Sequence, residues 1–546
     1  MRPIRTVLVV ILALALLPDS PRSGPTASSM RVHGLTAPAT ITTDRWGIPH
    51  LEAASLPDLY VAWGWVAARD RLWQMTATRA AAEGRTHRWL GNAALQADGG
   101  AQLFRLRERA AAIWRRERAD SSVAMPLERY AEGVNAYLNE CRSGQRPWPT
   151  ELVRLGERPR DWTPEDCVLV LLGFGITLDL ELPELAELRT IRQFGLEGAT
   201  QRRRFEDRWL YDTIPDSAAA RMWPARCTDP ATLGRMSPTS VATPSPAAER
   251  AIDAWLAAHP VHEPEGGDRA SNEFVVGARR AARGKPLLAN DPHLALTTPG
   301  AFHVLHLHVP GQVDAIGASA PGLPLIVSGR NRRVAWGATA VSADVIDVYA
   351  DTLSADRRRV RTHAADGTAG WAPVRTTPYD LLYRIAGVIP IPVLPFMNVR
   401  RETPHGPVLV WDDKAGIAYS ARWTALEDDR IRLGGILGME RSRTAAELDG
   451  RAATLVTPCL NLMAADVDGG TTYRACGLLP IRPTPLGPGP VPSDGRHEWT
   501  GFVPTADMPH WSVPATGFAV NANNRPVGAP WPWDSPRYDW AHDRAR

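Results

Sequence analysis

Apolar side chains recur every three or four residues over 56–90, "LPDLYVAWGWVAARDRLWQMTATRAAAEGRTHRWLG", with Gly91 placed to close the run. That period predicts a long buried helix with a glycine cap. The same spacing predicts helices over 102–117 and 126–141, and Thr163-Pro-Glu-Asp is a helix start. From there to about Trp223, Asn, Gly and Pro are sparse. Ahead of the first helix, 39–53 reads as strand with a Gly-Ile-Pro break. After Ser271 the period changes. "NEFVVG", "PLLAN", "FHVLHLHVPG", "QVDAIGA", "LPLIVSG" and "RVAWGAT" are short apolar or alternating runs bounded by turn residues, the pattern of strands. A helix-rich first half followed by a strand-rich second half predicts an α+β fold. The two halves meet in a Pro-, Ser-, Thr- and Gly-rich stretch, 228–270, predicted to be an exposed, flexible linker with one short amphipathic helix over 248–259.

The N-terminus stands apart. Arg2 and Arg5 precede "VLVVILALALL" at 7–17, and Pro18 stops it. This is the layout of an export signal, shorter than the roughly 20 apolar residues of a membrane span. The expectation is a signal over 1–25 and a periplasmic or secreted protein with no membrane attachment after signal removal. A chain of 546 residues needs several domains or one large layered one. Its 62 basic and 59 acidic residues leave a net charge of +3, which argues against a nucleic-acid partner. Five cysteines are too few for a disulfide scaffold. Cys459 and Cys476 flank a predicted hairpin turn nearly symmetrically, so they are either a disulfide or two buried thiols.

Nucleophile motifs narrow the chemistry. The nearest approach to G-x-S-x-G is "GASAPG" at 317–322, spoiled by Pro321, so Ser319 is expected in a loop. His306 and His308 share a strand face, with His303 on the other. A secreted metal-dependent hydrolase could be built on them, but no third ligand is marked, and packed strand histidines are the simpler reading. No H-E-x-x-H, P-loop or G-x-G-x-x-G occurs. "DRASNEFVVG" remains, with Ser271 at the first position of a strand directly after the flexible stretch. A serine hydroxyl needs a base. Cutting the Ala270–Ser271 bond would supply one on the same residue, an α-amine with a pKa of about 7.7–8.0.

Several segments carry a resemblance: "SNEFVVGARRAARGKPLLANDPHL", the helical "AWGWVAARDRLWQMTATRAAAEGRTHRWLG", "GASAPGLPLIVSGRNRRVAWGATAVSADVIDVY", "PCLNLMAADVDGGTTYRACGLLPIR", "EWTGFVPTADMPHW" and "GFAVNANNRP". Together they resemble the penicillin acylase (penicillin amidase) family of N-terminal-nucleophile hydrolases. The resemblance implies a four-layer αββα sandwich, with two stacked antiparallel sheets between helices. It implies self-cleavage at Ala270–Ser271 into a helix-rich chain (26–227) and a strand-rich chain (271–546), with 228–270 as spacer, the two remaining together as a heterodimer. It assigns Ser271 as nucleophile, Ala340 and Asn523 to the oxyanion hole, His293 to positioning the amine, and Arg544 to the active-site neighbourhood. Leu178 and Leu294 would line an acyl pocket near 174–180. A structural calcium would take Glu184, Asp344, the Ile346 carbonyl, Asp347 and Asp534, all oxygen donors. The implied activity is hydrolysis of a linear carbon–nitrogen amide in a small N-acyl compound, such as a β-lactam or an acyl-homoserine lactone. Two departures stand out. Ala270 replaces the family's more frequent glycine, and family members extend well beyond the position of Arg546. The second chain is therefore expected to be incomplete, and the alternative is an inactive member acting as a binding protein.

Overall fold

The computed structural model describes residues 31–546 except 180–181, 207–211, 224–243, 259–269, 295, 364–366, 379–381, 386–388, 393–398, 483–488, 528–530, 532 and 534–546. Its described helices are α1 (Leu56–Ala82), α2 (His87–Leu90), α3 (Leu95–Leu103), α4 (Leu106–Glu117), α5 (Ser121–Arg142), α6 (Thr150–Leu155), α7 (Pro164–Asp179), α8 (Pro183–Glu206), α9 (Asp216–Met222) and α10 (Pro246–Ala258), with one more at Ala445–Ala452. Ser55 caps α1, its hydroxyl accepting from the Asp58 N–H, as an N-cap should. The α1 run is buried almost all round, Trp63 and Tyr60 each at 1% exposure. Large side chains so placed contribute roughly 1.5–3 kcal/mol each. Two glycines let α1 and α5 cross closely. A Cβ on Gly64 would lie 2.0 Å from the Tyr130 carbonyl, and one on Gly133 would lie 2.0 Å from the Val61 carbonyl.

The strands begin with β1 (Thr40–Thr43) and β2 (Pro49–Glu52). They continue after the linker with β3 (Ala270–Val276), β4 (Leu287–His293), β5 (His303–Val309), β6 (Val313–Ser319), β7 (Ile326–Asn331), β8 (Val334–Ala340) and β9 (Ile346–Thr352). A nine-stranded sheet runs β1-β2-β5-β6-β7-β8, then Leu460–Asp466, Thr471–Cys476 and His510–Ser512. Every neighbouring pair is antiparallel except β2 and β5. That parallel pair joins the first half of the chain to the second inside one sheet, so a cut between them would leave a single folded body. Leu305, Leu307 and Val309 bury one face of β5, where His303 Nε2 meets Asp70 of α1 at 3.3 Å. A six-stranded sheet contains β9, and a three-stranded one runs Phe518–Asn521, β3, β4. The last rests on β8 and Leu460–Asp466. Gly337 permits the approach, since a Cβ there would sit 2.6 Å from that of Asn290 on β4. Helices and stacked sheets make the chain α+β.

Two expectations change, and a cysteine pair left open takes one of its two forms. The linker is not wholly exposed, because α10 packs Ala248, Ile252, Trp255 and Leu256 into the main core; its amphipathic stripe needs a partner and finds one. Ser319 is no loop residue. It ends β6 at 2% exposure, because the strand runs on to the turn that Pro321 makes. Cys476 pairs with Leu460, one residue away from Cys459, and both cysteines are buried free thiols.

Candidate active site

β3 begins one residue before Ser271, and Ser271 sits 8% exposed against the nine-stranded sheet. Alternation along the strand sends Ser271, Glu273 and Val275 inward, while Phe274 is exposed. The Ser271 N–H donates to Asn523 Oδ1 at 2.8 Å, and Asn523 Nδ2 donates to the Ala340 carbonyl at 2.8 Å. Three residues assigned from sequence to one chemical act, Ser271, Asn523 and Ala340, are thus in direct hydrogen-bonded sequence. Asn523 has φ +64°, a left-handed backbone that asparagine tolerates better than most residues. That conformation turns the chain back after the Phe518–Asn521 strand and aims its amide at β3 and β8.

Sequence reasoning missed the scaffold beneath. Asn521 Oδ1 accepts from the Asn523 N–H at 3.0 Å, the Thr339 hydroxyl at 2.8 Å and Asn461 Nδ2 at 3.0 Å. Asn461 Nδ2 also lies 3.1 Å from the Ala340 carbonyl, and its Oδ1 accepts from the Tyr473 hydroxyl at 2.7 Å. The first half of the chain reaches in through Thr213, whose hydroxyl accepts from Asn521 and Asn524 at 2.9 and 3.1 Å. Arg525 clamps the same corner onto Asp212 at 2.6 Å. On the near side, Asn290 Nδ2 ties β4 to the carbonyls of Asn272 and Ala338 at 3.1 and 2.9 Å. Polar residues this deep are stable only when paired, so the lone Asn461 in the apolar run "CLNLMA" and the "NANN" repeat were the available signals.

Other expected residues lie apart. His293 faces the opposite side of β4 from Ser271. Its Nε2 meets Asp291 at 2.6 Å and Asn272 Nδ2 at 3.4 Å, so in the continuous chain its ring does not contact Ser271. Leu294 and Leu178 are both half-buried. The C-terminal end of α7 is fixed by Asp179, which accepts from the Cys459 N–H at 2.7 Å and the Thr457 hydroxyl at 2.8 Å. Arg544 and Asp534 lie outside the described residues.

The proposed calcium ligands cluster at the start of β9. Glu184 Oε1 accepts from the Val348 N–H at 3.4 Å. Arg482 donates to Asp347 at 2.8 Å and pairs with Asp344 at 3.1 Å. Asp347 is fully buried and Ile346 nearly so. The donors suit a hard cation, yet among the described residues no three metal-type side chains converge, and the Arg482 guanidinium compensates both aspartates. With Asp534 outside the described residues, the expected ligand set is incomplete here, and no chemical step is routed through an ion. The histidine strand likewise builds no metal centre among the described residues. His306 instead bonds His50 at 3.0 Å and Asp314 at 2.9 Å.

Residues 38–546 match the family described as penicillin amidase. The chain is 30% identical to penicillin acylase 2 proenzyme of Pseudomonas sp. (strain SE83), over 92% of this chain and 60% of that protein. It is also 30% identical to acyl-homoserine lactone acylase QuiP of Pseudomonas aeruginosa, over 92% and 57% respectively. Penicillin G acylase of Escherichia coli is similar at 24% identity, over 89% of this chain and 59% of that protein. The chain therefore spans somewhat under two thirds of the length of these relatives. The hydrogen-bonded group of Ser271, Asn523 and Ala340 and a match across nearly the whole sequence lead to one assignment: the chain belongs to the penicillin amidase family.

Proposed function

We propose that this chain is an exported, self-maturing amidohydrolase that cleaves a linear amide in a small N-acyl compound. The observation that carries the reading is a buried serine at the head of β3 whose N–H is already held by Asn523. In the continuous chain, the Ser271 hydroxyl attacks the Ala270 carbonyl carbon. The carbon–nitrogen bond breaks, an ester to Ser271 forms, and water hydrolyses it. The product is a free α-amine at Ser271 and a carboxylate at Ala270. The amine then takes the Ser271 hydroxyl proton as that oxygen attacks a substrate amide. Nitrogen leaves with the proton, and water resolves the acyl-enzyme.

The tetrahedral oxygen in each stage needs donors. Asn523 Nδ2 and the Ala340 N–H are the residues assigned, and the loss of one such donor typically costs about 3–4 kcal/mol in the transition state. Asn523 Nδ2 is spent on the Ala340 carbonyl in the continuous chain, so it must turn to the substrate oxygen when the site works. The halves stay together as a heterodimer because they share the nine-stranded sheet. Penicillin-type β-lactams and acyl-homoserine lactones are the substrate classes, in line with the names of the relatives. A calcium ion at the β9 end would require Asp534 and a displaced Arg482; calorimetric titration of the protein with calcium tests it. For the activity, wild type and Ser271→Ala are incubated with penicillin G and with acyl-homoserine lactones of graded chain length, and released amine is quantified. Turnover by wild type alone supports the reading. Equal turnover by both, or by neither, overturns it.

A further inference from the structure

Glu273 lies two residues after the nucleophile, on the same inward face of β3, at 1% exposure. A carboxyl group there needs an explanation, because an apolar side chain would pack without the desolvation penalty of an acid. No ion pair reaches it among the described residues, and neither oxygen makes a hydrogen bond of good geometry. Burial pushes its pKa well above the usual carboxylic range, and the nearby Met463 N–H and Thr339 hydroxyl offset this only in part. Burial therefore favours the protonated form, which has one proton to donate.

The polar neighbour that can take that proton is Thr339. Its hydroxyl already donates to Asn521 Oδ1 at 2.8 Å and accepts from Asn461 Nδ2 at 3.0 Å, which leaves one lone pair open. Asn521 Oδ1 in turn accepts the Asn523 N–H, and Asn523 receives the Ser271 N–H. We propose that Glu273 is a positioning residue of the site, its carboxyl O–H fixing the direction of the Thr339 hydroxyl and, through Asn521, the placement of Asn523. The direction is what matters. A neutral acid donates to Thr339 and leaves its hydrogen on Asn521. A carboxylate would instead accept from Thr339 and pull that hydrogen away, removing one of the three donors that hold Asn521 Oδ1.

The surroundings make Glu273 the group that decides. Across from it, β4 presents Asn290 and the Phe518–Asn521 strand presents Asn521. From the sheet below come Thr339, Asn461, Met463, Tyr473 and Cys476, of which Tyr473 and Cys476 titrate only far above neutrality because of burial. Asp212, behind Tyr473, is paired with Arg525. Asp291 and His293 face the other side of β4.

The proposal rests on the catalytic reading of Ser271, and the test separates the two. Hydrogen–deuterium exchange over 518–524, corrected for intrinsic rate, is followed against pH in the uncleavable Ser271→Ala chain, alone and with Glu273→Gln or Glu273→Met. Gln keeps a donor and cannot ionise. Met keeps bulk and loses the donor. The expected result is protection that falls at least threefold at alkaline pH with Glu273, stays level with Gln, and is lower by tenfold at all pH with Met. In the cleavable chain, self-cleavage should follow the same order. Met protected like the parent, or Gln with the same alkaline fall, overturns the proposal. If Met prevents folding, the Glu-against-Gln pH comparison decides alone. Failure of the cleavable chain to cut, with the exchange pattern as expected, would count against the catalytic reading and leave the positioning role in place.

Discussion

Asp179 joins the end of α7 to the entry of the Leu460–Asp466 strand, next to the register that fixes Ala340 opposite Leu460. It is 4% exposed. Burial raises its pKa from 3.8 to about 7, with the Cys459 and Thr457 hydrogen bonds opposing. A carboxyl whose pKa is higher folded than unfolded is least harmful when protonated in both states. Its stability contribution is complete below about pH 4 and is lost as pH rises toward 7, at 1.36 kcal/mol per pH unit. Over that window the loss amounts to about 4 kcal/mol. Asn cannot ionise, can still accept from the Cys459 N–H, and can donate to the Thr457 oxygen. Asp179→Asn should therefore match wild type near pH 4.5 and exceed it by roughly 3–4 kcal/mol at pH 8. The assay is urea unfolding of both proteins at half-unit steps from pH 4.5 to 8.5, in the Ser271→Ala background so that the chain stays whole. A difference that stays flat with pH, or that favours wild type at pH 8, refutes the reasoning, since either would mean that the carboxylate is welcome where it sits.

Other outcomes follow from the same structure. Asn523→Ala removes the bonds to Ser271 and Ala340 and forces alanine to φ +64°. It should destabilise by about 2–4 kcal/mol and slow self-cleavage about 10²–10³-fold, whereas Asn523→Gly should lose the activity with a smaller drop in melting temperature. His405 lies between Asp351 and Glu498 at 2.7 and 2.9 Å. Burial works against its charge, yet the two carboxylates lift its pKa from 6.5 to about 9. Its contribution is whole below about pH 6.5 and lost through pH 9, so His405→Gln should cost about 3 kcal/mol at pH 6 and almost nothing at pH 10 in denaturant titrations. Gly337→Ala would drive a methyl into Asn290 and should lower the yield of cleaved protein and the melting temperature together.

Periodicity carried most of the fold. The first helix, the strand runs after Ser271 and the hairpin around Asp466 appear where their patterns place them, since each buries its apolar positions locally; the helix expected over 56–90 stops earlier, at Ala82, where Gly84 at φ +64° turns the chain before α2. The packing of α10 was not legible, because composition reports solubility and says nothing of a distant groove able to take Trp255. Ser319 was misplaced for a related reason, as a proline after a strand looks the same in sequence as a proline within a loop. At the site, Ser271, Ala340 and Asn523 were named through a resemblance and come together through three separate strand ends. Thr213 had no motif to announce it, and Asn461 and Asn521 offered only an asparagine in an apolar run and a repeat; their shared role arises only when polar groups from distant segments must satisfy one another out of water. Glu273 stood unremarked in the quoted strand, because period-two alternation alone does not tell which face a strand will bury.

The self-cleavage at the head of β3 is the claim on which the functional account turns. Intact mass and N-terminal sequencing of the purified full chain test it most directly, with Ser271→Ala alongside. Wild type should yield two tightly associated polypeptides, one opening Ser-Asn-Glu-Phe, and the variant a single uncut chain. A wild-type protein that is folded, hydrolyses N-acyl amides and yet remains one polypeptide through 270 and 271 would contradict it.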